Sequence, residues 1–448
     1  MKKVLILGAG MVVKPIVTYL LNKGYLVTIA TRTKSKADAM IGGHPHGFSV
    51  EWTVDREPEL DRMIQQHDLT VSLLPYTHHL MVARKCVHYR RDMLTSSYVK
   101  PEMRALDEEA RKAGIIILNE LGLDPGIDHM GAMRIIDHIH GKGGKVEEFY
   151  SFCGALVAPE VETNPFRYKF TWAPKGVVMA GNNDGKYQLN GSTRYIPTED
   201  LFKNPLSVTF PGVGLLDVYP NRDSLPYAEL YGIPEVKTIF RGTFRYPGWC
   251  EILDAMKRLN LLSYEKINLE GLSYAGFLAR QTGEKDPQHV KGKIASRLHI
   301  DADSLPIRAL EWLGLFSDEP VNRLEDSPFE IVSDLMIAKM MIQPEERDMV
   351  VMLHTFLASY PDGSKEVIKS RMLDFGTLLT DTSVARTVAL PAACGVEMIL
   401  EGRIRAKGVH IPVIPEIYKP ILDNLEKMNI RMEEQYGLPL SEGIRMNA

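Results

Sequence analysis

A chain of 448 residues, 45% of them hydrophobic, has apolar material for two or three cores at about 150 residues each, which sets aside a fibre or a disordered tail. Lys and Arg number 53 against 57 Asp and Glu, and a net charge of -4 is too balanced for bulk attraction to nucleic acid or anionic lipid, so recognition has to be local. Cys86, Cys153, Cys250 and Cys394 are scattered without a CxxC pair, which argues against a zinc site and a disulfide framework and for a reducing compartment.

The opening Lys2–Leu7 has no secretory apolar region, and no later run reaches the ~18 consecutive apolar residues of a membrane span, so a cytoplasmic protein is expected. Val4–Leu7 predicts a strand, Gly8-Ala9-Gly10-Met11-Val12-Val13 a glycine turn, and Pro15–Leu21 a helix that stops at Gly24. Gly8 permits the tight turn, and Gly10 lets a pyrophosphate approach the N–H groups at the helix start. Val13 departs from the pattern, since a glycine or alanine there usually lets helix and sheet pack closely.

Leu26–Ala30 predicts the second strand. It runs into Thr31-Arg32-Thr33-Lys34, where an NAD site usually carries an acid for the ribose 2′-hydroxyl. Arg32, flanked by Thr31, Thr33 and Lys34, instead suits the 2′-phosphate of NADP; the plainer alternative is a solvated loop arginine.

Strands over Leu69–Leu74 and Asp92–Ser97 alternate with helices over Glu57–Gln65 and Pro101–Ala113, which implies a parallel sheet. Ile115–Leu118 is a further strand, broken by Gly122, Pro125 and Gly126, so that Asp124, Asp128 and His129 sit in a turn at its carboxyl end. Open α/β sheets bind ligands there, and the hydroxyls of Pro75–His79 and Ser96–Pro101, with the Lys100 ammonium, are candidate contacts for the same reason. The pairs His78-His79 and His138-x-His140 point their rings to different helix faces, and no metal is expected.

Beyond Met130 a helix over Met133–His140 and a strand over Val146–Phe152 open a second domain. Val218–Ser224 and Thr238–Trp249 place Arg222, Arg241 and Arg245 in turn-rich settings, as bidentate carboxylate clamps or as surface ion pairs. Residues 251–342 read as an inserted helical cap, in which Ile252–Ser263 is echoed by Ile307–Ser317 through a duplicated unit or through shared helix-cap chemistry. A hairpin follows from Val350 through Pro361-Asp362-Gly363 to Leu373, then helices over Ser383–Leu400, rich in small residues, and Pro415–Met428, of the kind that cover a nucleotide-binding domain.

The strings GLDPGIDH (Gly122–His129), TSSYVKP (Thr95–Pro101), YPNRDS (Tyr219–Ser224), RGTFRYPGW (Arg241–Trp249) and NPFRYKFTW (Asn164–Trp172) are long and specific. Through them the chain resembles the saccharopine reductases, the NADP-dependent, L-glutamate-forming saccharopine dehydrogenases of lysine metabolism, over essentially its whole length. The resemblance implies an α/β fold: a Rossmann-type doubly wound parallel sheet plus a mixed α/β domain with an inserted all-helical domain. The expected division is residues 1–125 completed by 383–448, then 126–250 with 346–382 for substrate and homodimer contacts, and 251–345 as the insertion.

Carried over by position, the resemblance implies NADP(H) contacts from Gly10, Met11, Val12, Thr31, Arg32, Thr33, Val54, Leu74, Ser96, Ser97, Leu123, Asp124 and Pro125, besides Gly8 in the turn. Substrate contacts are implied for Ser97, Tyr98, Asp124, Arg222, Thr243, Phe244 and Arg245. Val13 and Thr53 depart from the family pattern, where alanine and a carboxylate are common, and both touch cofactor affinity.

The implied reaction joins L-glutamate to L-2-aminoadipate 6-semialdehyde as an imine, which hydride reduces reversibly to saccharopine. Three substrate carboxylates make Arg222 and Arg245 the expected clamps. Proton transfer falls to Asp124 first, with Lys100 as a relay if buried, His129 as a further titratable group, and Cys153 either near the substrate or merely packed. The alternatives are the NAD-dependent degradative saccharopine dehydrogenase, which Arg32 disfavours, a carboxynorspermidine-type imine reductase, and a catalytically silent dinucleotide sensor.

Overall fold

The computed structural model describes residues 1–161, 164–284 and 286–446; positions 162, 163, 285, 447 and 448 of the expected domains lie outside the described residues. Two compact units emerge: Met1–Val146 with Leu230–Ile233 and Met352–Gly443, and Glu147–Glu229 with Pro234–Val351 and Ile444–Ala448.

The first unit opens as β1 (Lys3–Leu7), α1 (Lys14–Asn22), β2 (Leu26–Thr31), α2 (Lys34–Ile41), β3 (Gly47–Glu51), α3 (Glu57–Gln66), β4 (Leu69–Ser72), α4 (His79–Tyr89), β5 (Asp92–Leu94), α5 (Pro101–Arg104), α6 (Asp107–Ala113), β6 (Ile116–Leu118) and α7 (Ile127–Gly141). All four residues of β4 and the last four of β1 are buried, the signature of strands covered on both faces.

The chain continues through β7 (Lys145–Val157), α8 (Pro174–Ala180), β8 (Gly185–Leu189), β9 (Ser192–Ile196), β10 (Leu206–Phe210), β11 (Gly214–Pro220), α9 (Pro226–Leu230) and β12 (Thr238–Arg245). A helical stretch follows: α10 (Trp249–Arg258), β13 (Ile267–Asn268), α11 (Tyr274–Thr282), α12 (Val290–Leu298), α13 (Leu305–Leu313), β14 (Glu325–Asp326) and α14 (Pro328–Met340). The last elements are β15 (Asp348–Ser359), β16 (Lys365–Phe375), α15 (Ser383–Leu400), β17 (Gly408–His410), α16 (Pro415–Lys427) and β18 (Glu433–Leu438).

The first unit holds a 7-stranded sheet in the order β17-β6-β5-β4-β1-β2-β3, parallel throughout. The order reverses at β1, which lies between β2 and β4, so the switch point at which such sheets bind ligands falls at the β1 turn. Helix α15 returns to this sheet: a Cβ on its Gly395 would lie 2.3 Å from Leu121 Cδ2 and 2.9 Å from Leu94 Cδ1, so only a residue without a side chain fits there. Its Glu397 binds Tyr19 and Lys23 at the end of α1. In length and composition α15 passes for a membrane span, against the sequence expectation, but 78% of it is buried in the unit, as in a core helix.

A mixed sheet runs β10-β11-β12-β7-β15-β16-β18, with β8 and β9 branching from β12. Its strands β10, β11 and β12 pair antiparallel in turn, whereas β12 and β7 are parallel.

Several expected boundaries move, each for a local reason. Strand β5 ends at Leu94 rather than Ser97, because its register partner Leu118 is the last residue of β6. The helix expected over Pro101–Ala113 is two, α5 and α6; Leu106 N–H bonds Met103 rather than continuing the ladder, and Asp107-Glu108-Glu109 starts a new helix whose dipole favours acids. Helix α7 begins at Ile127, not Met133, with Asp128 accepting from Gly126 N–H at 2.6 Å, so Asp128 and His129 belong to a helix's first turn and are buried. Segment Thr238–Arg245 is a strand rather than a turn. The echo between Ile252–Ser263 and Ile307–Ser317 follows helix-end chemistry: α10 is followed by Asn260 (φ 60°) and α13 by Gly314 (φ 95°), both left-handed.

Candidate active site

The glycine turn has the shape its residues predict. Gly8 has φ 105°, and a Cβ there would lie 2.9 Å from the Leu73 carbonyl oxygen, so both conformation and space demand glycine. Around Gly10 a Cβ meets nothing within 4 Å, which leaves room for a pyrophosphate. Helix α1 starts with no side-chain cap, so its first N–H groups remain available to an anion. Val13, the departure, is 1% exposed and is accommodated as the residue just before α1.

Thr31, Arg32 and Thr33 follow at the carboxyl end of β2. Arg32 is exposed and makes no hydrogen bond or ion pair among the described residues, while Lys34 is held by Asp38. A free guanidinium at this strand end fits a 2′-phosphate. Val54 and Leu74 pack on the edge of the apolar cluster beneath the sheet ends. Leu123 and Pro125 are buried and Asp124 half-buried in the turn after β6. Every expected cofactor residue therefore lies at the carboxyl end of a strand in the first unit, and these residues fit an NADP.

The turns after β4, β5 and β6 are neighbours, and hydrogen bonds tie them. His79 is 4% exposed; its Nδ1 meets Ser72 Oγ at 2.8 Å and its Nε2 meets Ser97 Oγ at 2.8 Å. Tyr98 donates its phenol to Asp124 Oδ1 at 2.8 Å, a tyrosine–carboxylate pair half-open to ligand. His129 is fully buried, with Nε2 2.7 Å from Glu120 Oε2 and Nδ1 2.7 Å from the Tyr231 hydroxyl. Lys100 is exposed, its ammonium 4.1 Å from the Tyr76 ring centroid, so the burial on which its relay role was conditioned is not supplied by the chain. No metal-binding group of His, Cys, Asp and Glu occurs among the described residues.

Burial pushes the His79 imidazole from its ordinary 6.5 down to about 4, with His78 adding repulsion. Between those values the unfolded chain binds a proton that the folded chain does not, so acid lowers stability through that window, by about 3 kcal/mol once complete. The denaturation midpoint is expected to fall more steeply between pH 6.5 and 4 in the native protein than in His79→Gln; equal slopes would place the titrating group elsewhere.

The second unit carries the other expected substrate residues on β12 and in the turn after β11. Residues alternate along β12, so Arg241, Thr243 and Arg245 share one face and Gly242 and Phe244 the other. Cys153 on β7 pairs with Thr243, and Tyr219 and Asp217 on β11 pair with Thr243 and Arg245. Phe244, 0% exposed, packs against Phe152 and Phe210, leaving only its backbone for a ligand. Arg222 is exposed in the turn after β11 with φ 59°, and Arg241 is engaged by the Tyr227 hydroxyl at 2.6 Å.

Arg245 differs from both. It is 4% exposed, forms no ion pair among the described residues, and its one hydrogen bond runs to the neighbouring Phe244 carbonyl at 2.8 Å. Its guanidinium carbon lies 4.9 Å, 5.8 Å and 5.2 Å from the ring centroids of Tyr168, Tyr219 and Trp249. Its Nε and the buried indole Nε1 of Trp249 lack acceptors. Asp217, its register partner, is pushed up by burial and bonds Ser207 instead. Aromatic faces offset part of the cost of a buried cation, but two buried donors without acceptors call for an anion.

Single-residue reading passed over His79, Glu120, Tyr168, Tyr219, Tyr231 and Trp249. In the sequence His79 stands out only through its neighbour His78 and its place at the end of Pro75–His79, and the signal for Tyr168, Tyr219 and Trp249 is their place in the long strings that carry the resemblance.

Residues 4–118 match the family model of the saccharopine dehydrogenase NADP binding domain, and residues 122–430 that of the saccharopine dehydrogenase C-terminal domain. The chain is 36% identical to saccharopine dehydrogenase (NADP(+), L-glutamate-forming) of Schizosaccharomyces pombe, over 97% of this chain and 99% of that protein. It is also 36% identical to the mitochondrial alpha-aminoadipic semialdehyde synthase of Mus musculus, over 98% of this chain and 48% of that longer protein. Among solved structures, the apo histidine-tagged saccharopine dehydrogenase (L-Glu forming) from Saccharomyces cerevisiae superposes with a TM-score of 0.88 at 34% identity, covering 97% of this chain and 100% of that one. With homospermidine synthase from Legionella pneumophila only the fold is shared, at a TM-score of 0.60 and 10% identity over 100% of this chain and 94% of that one. The chain belongs to the saccharopine dehydrogenase family.

Proposed function

We propose that the chain is an NADP-dependent saccharopine reductase, which reversibly reduces the imine of L-2-aminoadipate 6-semialdehyde and L-glutamate to saccharopine in lysine metabolism. The observation that carries the reading is Arg245, a buried guanidinium with no acid partner among the described residues, beside an indole N–H with no acceptor among them. A substrate carboxylate satisfies both, and saccharopine has three.

NADPH, which the glycine turn, the start of α1 and Arg32 would hold, would supply the hydride and leave as NADP+. The chain's own residues supply the rest. Arg245 and Trp249 bind a carboxylate, and Arg222 and Thr243 add contacts. Asp124 stabilises positive charge on the imine nitrogen and moves the proton there, held by the phenol of Tyr98. Ser97 and Tyr98 contact the substrate from the turn after β5. Cys153, buried on the polar face of β7, packs beside Thr243 and has no covalent step to perform. We also read residues 1–125 with 383–448, 126–250 with 346–382, and 251–345 as the three domains, and the protein as a cytoplasmic homodimer. Four free, buried cysteines suit a reducing compartment, and light scattering and cell fractionation test the assembly and the location.

The test is growth of reduced-nicotinamide absorbance with purified protein and saccharopine, run with NADP and with NAD. Growth confined to NADP, or far faster with it, is expected. Faster growth with NAD would overturn the cofactor, and silence with both would overturn the substrate. Arg32→Asp, which removes the phosphate clamp and adds a ribose acceptor, is expected to lower kcat/KM for NADP by about tenfold to a hundredfold and to raise it for NAD; an unchanged ratio would show that Arg32 is not the determinant.

A further inference from the structure

Glu120 is doubly expensive. It is a non-glycine residue with φ 58°, in the left-handed region, and only 4% of it is exposed. Such a backbone costs of order 1 kcal/mol where asparagine or glycine sits more easily, and a buried acid costs several more unless it is bonded. Both features serve one segment. The Glu120 N–H donates to the Ser97 carbonyl at 3.2 Å, and Glu120 Oε1 accepts from the Val99 N–H at 2.8 Å. Tyr98 lies between these two bonds, and its phenol donates to Asp124 Oδ1.

The second carboxyl oxygen is fixed from behind. Glu120 Oε2 lies 2.7 Å from His129 Nε2 in the first turn of α7, and His129 Nδ1 lies 2.7 Å from the Tyr231 hydroxyl. His129 is 0% exposed and Tyr231 3% exposed, so the Glu120–His129–Tyr231 end of this chain is buried, with Val99 half-buried at its outer end. A plain turn would need neither the carboxylate nor the histidine.

We propose that Glu120 is a positioning residue for the reaction. Backed by His129 and Tyr231, it clasps the peptide on both sides of Tyr98 and thereby holds the phenol on Asp124. This rests on Asp124 and Tyr98 working on the substrate as set out above. The clasp itself is a property of the protein without ligand, which lets the two readings be separated.

The experiment compares wild type with Glu120→Ala, Glu120→Gln, Tyr98→Phe and the double variant Glu120→Ala/Tyr98→Phe, for NADPH binding and for kcat and KM with saccharopine. Glu120→Ala is expected to lower kcat by about tenfold to a hundredfold, as a misplaced catalytic group does, with NADPH binding unchanged. Glu120→Gln keeps an acceptor for Val99 and restores most of the rate. The double variant is no worse than Tyr98→Phe, because Glu120 acts through that phenol. Losses that multiply in the double variant, or a Glu120→Ala protein that melts earlier yet keeps its rate, would overturn the proposal.

If Glu120→Ala does not fold, Glu120→Asp replaces it, being one methylene too short to reach both Val99 and His129. Amide exchange of residues 97–100 in wild type and Glu120→Asp needs no substrate. Val99 is expected to exchange about tenfold faster in the variant; equal exchange would overturn the clasp. Faster exchange in a protein that does not turn over saccharopine would leave the clasp standing and overturn the substrate.

Discussion

Arg245→Met is expected to raise the KM for saccharopine by about a hundredfold to a thousandfold while raising the unfolding temperature of the ligand-free protein. The two effects have one cause. In the free protein Arg245 is a cation among Tyr168, Tyr219 and Trp249 with no ion pair among the described residues, stabilised by ring faces and the Phe244 carbonyl. A buried ion carries a desolvation penalty of several kcal/mol, and an apolar side chain of similar length removes it. With substrate bound, the same guanidinium is expected to gain a carboxylate in a dry setting, where charge-assisted bonds are strongest, and methionine would forfeit them all. A structural arginine behaves in the opposite way: its loss lowers the unfolding temperature and leaves KM alone. Thermal unfolding with and without saccharopine, together with initial rates, decides between them. A destabilised variant with native KM would remove Arg245 from the substrate site. Arg241, bonded to Tyr227, serves as the control and is expected to show that structural pattern.

The nucleotide-binding half of this molecule was legible because its signals are local. Gly8, Gly10, Arg32 and strands β1 and β2 lie within about thirty residues, and each is constrained by its own backbone or by an apolar run at strand spacing. The substrate half was not. Segment Arg241–Trp249 is rich in glycine, arginine and proline and reads as a turn, yet β12 is a strand because its polar side chains alternate onto one face while Phe240 and Phe244 enter the core. Which arginine is expected to be the clamp depends on what other segments supply: Tyr227 bonds Arg241, whereas Arg245 meets ring faces and only its neighbour's carbonyl among the described residues. The same holds around Asp124, where helix α7 starts six residues earlier than periodicity suggested, with Asp128 in its first turn accepting from the Gly126 N–H, and where His129 finds Tyr231 across 102 residues. β17 was missed for a simpler reason: three residues, Gly408–His410, are too short to show a period, and they form a strand only because β6 has a free edge.

Asp124→Asn removes a charge and keeps the shape, and its consequences separate binding from chemistry. The amide can still accept the Tyr98 phenol through its oxygen, so the turn after β6 and the NADP contacts around it are expected to survive, with NADPH binding within a few-fold of native. It can neither stabilise a cationic imine nitrogen nor take its proton. General acid–base groups contribute about 10²–10⁴-fold, and kcat is expected to fall by that amount. If kcat survives, the proton passes through another group in reach of the imine. Asp124 would then be a structural partner for Tyr98, and the search would move to the hydroxyls of the turn after β5.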